Sequence, residues 1–128
     1  DIALATDTPE MSGNGDIKLG YGPSMSLYSF HGRGTLNGVM PHPKLVKLFE
    51  NTASKQNINL QRSATSGILT DASYVQLLGK GIACIDLGFP IRYSHSPNEV
   101  CDIRDIFKLK ELLFKTIIRI DNKINLKR

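Results

Sequence analysis

The 128-residue sequence has no tryptophan and only two cysteines, Cys84 and Cys101. Two thiols in a chain of this size make no disulfide framework. Cys84 lies inside an apolar run and reads as a small buried hydrophobe. The thiol content points to a reducing, cytoplasmic setting. No apolar run approaches the roughly 20 residues of a membrane helix, and no signal-peptide pattern is present, so no membrane partner is expected. There is no glycine-rich phosphate loop followed by Lys and Ser/Thr, no nucleophile elbow and no His-Glu helix pair for zinc, which argues against three common hydrolase chemistries. Repeats, low-complexity tracts and linkers are also missing. The sequence has no initiator methionine and opens directly on a strand-like segment, so it is expected to be part of a larger chain.

The content is that of a globular domain. Apolar residues make up 41% and charged residues 22%, and the length suits a single domain with its own core. The formal net charge is +4 and is concentrated after Cys101, where Lys108, Lys110 and Lys115 stand among eight basic residues. A basic helix can meet nucleic acid. No nucleic-acid motif accompanies it here, so a solvated helix face is the reading and no nucleic-acid partner is expected.

Local patterns alternate between strand and helix. "DIALAT" is short and apolar and reads as a buried strand, closed by the turn residues Asp7, Thr8 and Pro9. "IKLGYGPSMSLYSF" reads as two short strand pieces around Gly20, Gly22 and Pro23, and "HGRGTLNG" as a long loop. A helix is predicted over "PHPKLVKLFENTASKQN", with Pro43 in its first turn and Leu45, Leu48, Phe49 and Thr52 on one face. "INLQRS" reads as a strand. "SGILTDASYVQLLGKG" reads as a loop entering a helix capped by Thr70 or Asp71 and stopped at Gly79 or Gly81. "IACIDLG" is a continuous apolar strand that runs on through "PIRYSHS". The last helix is predicted from a cap at Asp105, with Ile106, Leu109, Leu113, Ile117 and Ile120 as its inner stripe. The alternation predicts an α/β layer structure with buried strands between covering helices.

Three groups carry candidate chemistry. Asp1 and Asp7 flank the first strand, and acidic residues at strand ends are favoured ligand positions in α/β sheets. Asp7 has a sufficient local role in capping its turn, whereas Asp1 has none. His95 sits between two serines where an apolar run ends. Imidazole is a common zinc ligand and acid/base, although a lone histidine there is more often a hydrogen-bonded structural residue. Thr70 and Asp71 precede a helix, which usually means a cap, while Gly67 upstream would let the backbone approach a ligand.

The blocks "DIALATDTPE", "LGYGPSM", "SGILTDAS" and above all "IRYSHSPNEVCDIRDI" resemble the family-42 metallopeptidases. These are the glutamyl-aminopeptidase and tetrahedral-aminopeptidase group, some of which are labelled endoglucanases. The resemblance covers nearly the whole chain, and Arg92, Tyr93, His95, Ser96, Glu99 and Val100 match in order. It implies residues 1–128 are the C-terminal portion of one three-layer catalytic domain with a mixed central sheet. The upstream half and an inserted oligomerisation domain would lie outside these residues. It also implies two divalent metal ions, zinc or cobalt, with Asp1 a ligand of one and His95 of the other. Thr70 and Asp71 would stand near the substrate, peptides would be the substrates, and the parent would be a homo-oligomer. The remaining ligands and the general-base glutamate would lie upstream, so this chain alone is expected to be inactive. The reading of a different class is a non-catalytic binding or regulatory module that retains the fold. The glycine-rich run before Thr-Asp is reduced here to Gly67-Ile68-Leu69, and the loop at "HGRGTLNG" is longer than the family's.

Overall fold

The computed structural model describes residues 1–31, 38–121 and 124–127. Most of the loop "HGRGTLNG" lies outside the described residues. The chain folds as a mixed sheet with helices, the α/β arrangement expected. Its strands are β1 (Ile2–Leu4), β2 (Ser24–Phe30), β3 (Gly38–Val39), β4 (Gln61–Ser66), β5 (Asp86–Arg92) and β6 (Val100–Cys101). Its helices are α1 (Pro43–Lys55), α2 (Ala72–Val75) and α3 (Ile103–Ile117).

Strand β5 runs parallel to β1 and antiparallel to β2 and β6, while β2 runs parallel to β4 and antiparallel to β3. Helices α1 and α3 cover one face of this sheet. The core there joins Met25 and Leu87 of the strands to Phe49 and Ala53 of α1 and Leu109 and Leu112 of α3. The opposite face carries the cavity described below.

Helix α1 starts where predicted. His42 caps it, its Nδ1 accepting from the Lys44 amide at 3.2 Å, and Pro43 occupies the first turn. It ends in a Schellman turn. Asn57 adopts φ 51°, and the Ile58 and Asn57 amides donate to the Ala53 and Ser54 carbonyls. Ile58 thus belongs to the helix stop, which moves strand β4 three residues later than "INLQRS" suggests.

Several expectations are corrected. Segment 17–19 forms no strand, because its amides are satisfied by side chains: Thr6 accepts from Ile17, Gln61 from Lys18 and Asp7 from Leu19. β1 is an edge strand with Ile2 exposed, and the first fully buried residue is Ala5. β5 starts only at Asp86, where pairing with β2 begins, and stops at Arg92. Cys84 is half-buried and Cys101 exposed, both as free thiols.

Helix α2 is a four-residue turn. Asp71 stands at its N-cap position without a side-chain hydrogen bond, and Gly79 and Gly81 turn the chain beyond it with positive φ. Helix α3 is capped by Asp102, which accepts from the Arg104 amide at 2.9 Å. Hydrogen bonds from the Arg104 side chain and amide hold the Asp102 carboxyl down at about 2. Asp105 is instead buried. Its Oδ2 and Oδ1 accept the Gly20 and Gly22 amides at 2.7 Å each. The inner face of α3 is therefore Asp105, Leu109, Leu112 and Thr116, while Ile106, Ile117 and Ile120 of the predicted stripe are exposed.

Candidate active site

The open face of the sheet holds a cavity of about 520 Å³, and Asp1, His95 and Thr70 all line it. Asp71, exposed, is not among its lining residues. The sequence-predicted ligands, from opposite ends of the chain, thus come together in one space.

Asp1 reaches the cavity because β1 lies close against β5. The contact depends on Gly88, where a Cβ would stand 2.6 Å from the Ile2 carbonyl carbon. Oδ1 of Asp1 accepts the Ile2 amide at 2.8 Å, and the Phe89 amide reaches the Asp1 carbonyl at 3.4 Å.

His95 reaches it because the chain turns sharply after β5. Tyr93 and His95 adopt φ 59° and 63°, a left-handed conformation that costs non-glycine residues about 1–2 kcal/mol each. The loop 93–99 is closed at its base by the Arg92↔Val100 pairing of β5 and β6. Two further contacts hold it. The His95 amide donates to Glu99 Oε1 at 2.7 Å, and Arg92 makes a bidentate pair with Asp7, Nε to Oδ1 and Nη2 to Oδ2, both 2.8 Å. Asp7 is thus no turn cap. It ties the end of β1 to the base of the histidine loop. The Arg92 guanidinium, helped by the Leu19 amide, holds its carboxyl below the ordinary range. Among the described residues the His95 ring takes no hydrogen bond, and the residue lines the cavity.

Sequence reasoning missed the cavity floor. Ser26 and Asp86 are register partners across β2 and β5, and Ser26 and Ser63 across β2 and β4. An irregularity at Leu27 restores the phase, so Ser29 and Thr65 continue the same face. The Ser24, Ser26, Ser29 and Thr70 hydroxyls are buried without a partner. Burial pushes the Asp86 carboxyl up, the chain's own α-amino group at Asp1 partly opposing this. His31 and Ser94 complete the rim. The alternation in "SMS" and "SAT" was the available signal. Among the described residues no group of three His, Cys, Asp or Glu side chains is close enough to hold a metal ion.

The M42 glutamyl aminopeptidase family model matches residues 1–112. The chain belongs to this family. Among relatives of this M42 chain, SgcX of Escherichia coli strain K12 is 37% identical over 113 residues, which is 88% of this chain and 30% of SgcX. Aminopeptidase APDkam598 from the archaeon Desulfurococcus kamchatkensis superposes with a TM-score of 0.82 at 34% identity, covering 94% of this chain and 33% of that one. The TET1 peptidase of Pyrococcus horikoshii, which can assemble into a tetrahedron or a large octahedral shell, superposes at 0.65 with 26% identity, covering 91% and 31%. The M42 chain thus spans about a third of the length of the proteins it matches. No helix among its described residues is long and apolar enough to cross a membrane.

Proposed function

We propose that these residues are the C-terminal portion of a metal-dependent aminopeptidase that removes N-terminal residues from peptides. The carrying observation is the convergence of Asp1 and His95 on one cavity of the sheet's open face. The donor chemistry fits divalent zinc or cobalt: one hard carboxylate and one imidazole with free nitrogens. Two such ions, when bound, polarise the scissile carbonyl and acidify a shared water.

The chain's own residues have separable tasks. Asp1 offers a carboxylate oxygen to one ion, with its Oδ1 steadied by the Ile2 amide. His95 offers a ring nitrogen to the other from a turn fixed by Glu99 and by the Asp7–Arg92 pair. Thr70 and Asp71 would contact the substrate: Thr70 lines the cavity with a hydroxyl that has no partner, and Asp71, exposed beside it, accepts the Tyr74 and Val75 amides through its carbonyl. A catalytic zinc normally takes about three protein ligands. The other ligands and the general base therefore come from outside these 128 residues, and the chain alone does not cleave peptides. Free thiols favour a cytoplasmic enzyme, and the shells of the TET1 relative favour a homo-oligomeric parent.

Elemental analysis tests this reading on the 128-residue chain and on the longer protein that carries it. Two ions per longer chain, essentially none on the short one, and loss of metal with His95→Ala are expected. No metal on either after reconstitution with zinc or cobalt overturns the reading in favour of a non-catalytic module.

A further inference from the structure

Asp86 sits in the wall of the cavity on the face shared by Ser24 and Ser26. Its carboxylate is partly withdrawn from water. Among the described residues it accepts no hydrogen bond and makes no ion pair. A half-buried carboxylate without a partner is costly, and strand β5 could carry an apolar residue there at no loss to the core, which lies on the opposite face.

Apart from the α-amino group at Asp1, which lies near it in the 128-residue chain, the strand neighbours of Asp86 on this face carry hydroxyls. Ser26 stands beside it across β2 and Ser63 beyond that, with Ser29 and Thr65 in the next row. Ser24 and Ser29 are 1% and 2% exposed, line the cavity, and have hydroxyls without any partner. A hydroxyl accepts as well as donates. One carboxylate amid several free acceptor oxygens matches a group that is all donor and positively charged. A lysine ammonium carries three donors, an arginine guanidinium five, and neither has an acceptor. An apolar side chain would leave these groups unsatisfied, and an acidic one would face Asp86 with like charge.

We infer that Asp86, with the serine floor beside it, selects peptides whose N-terminal residue carries a cationic side chain. The inference rests on the aminopeptidase reading above and names its substrate class. Asp86 is a specificity residue here. It takes no part in bond cleavage.

The test uses the longer protein carrying this chain, loaded with zinc or cobalt, and p-nitroanilides of Lys, Arg, Leu and Glu. The wild type should favour Lys and Arg over Leu by roughly tenfold or more in kcat/KM, with Glu poorest. Asp86→Asn should lower the Lys and Arg values about tenfold while leaving Leu within about twofold. Asp86→Ser matches the floor and serves as the second variant should the asparagine disturb β5, and melting curves report its folding. Asp86→Lys should move the preference toward Glu. A wild type that favours Leu or Glu overturns the inference. So does an equal loss on Lys and Leu in both neutral variants, which would place Asp86 against the α-ammonium common to every substrate or in support of the fold. No cleavage of any substrate by wild type is a separate failure, that of the aminopeptidase reading itself.

Discussion

Replacing Asp105 with alanine removes the acceptor of the Gly20 and Gly22 amides and leaves the buried Gly22 donor unpaired. Hydrogen bonds to a charged group and unsatisfied buried donors each carry penalties of this order, so a loss of about 3 kcal/mol is expected in urea unfolding. Asp105→Asn, able to accept through only one oxygen, should fall between. Asp7 acts through charge instead. Its carboxyl is held low in the folded chain by Arg92, so its contribution is fully present above the unfolded carboxyl value of about 3.9. That contribution fades as pH falls below this and through the lowered folded value. Melting temperature should therefore be flat near neutrality and drop in acid, and Asp7→Asn should be less stable at neutral pH with a shallower acid drop. Neither role was legible in the sequence. Asp7 and Asp105 both precede turn-like or helical starts, where a local cap is the ordinary reading, and their real partners are 85 residues away or nearly so.

At the scale of elements, β1 depends on a glycine of its neighbour. A methyl group at residue 88 would meet the Ile2 backbone at 2.6 Å, so Gly88→Ala should push β1 off β5 at a cost of about 1–3 kcal/mol. Hydrogen exchange at Ala5, whose amide donates to the Ile91 carbonyl at 2.8 Å, should accelerate. The same shift would carry Asp1 out of the cavity. Helix α1 was legible because its signals are local: a proline start and an apolar face. Helix α3 was legible as a helix but not in its facing. It is apolar on two opposite sides with charges between them, so periodicity alone could not say which stripe meets the sheet. Segment 17–19 looked like a strand because its composition is strand-like, yet side chains from three separate places take its amides.

For the whole molecule, the outer side of α3 matters most. Phe107, Phe114 and Ile118 are each 61% exposed and Ile103 63%, an apolar stripe opposite the core-facing one. Contiguous exposed apolar surface of this kind drives association. The 128-residue chain should therefore show concentration-dependent self-association in sedimentation, relieved by the double change Phe107→Glu and Phe114→Glu. The site was legible only through the family blocks, since Asp1 and His95 lie 94 positions apart and nothing local links them. Asp86 and the serine floor stayed hidden because serines on alternating positions suit any solvated strand, and only the sheet register sets them beside one another. The Asp105 clasp on Gly20 and Gly22 also bears on biosynthesis. The turn at Gly20–Gly22 cannot close on Asp105 until the first turn of α3 has left the ribosome. At roughly 5–20 residues per second, the more than 80 residues between them make a delay of several seconds, during which that turn stays open to chaperones and proteases.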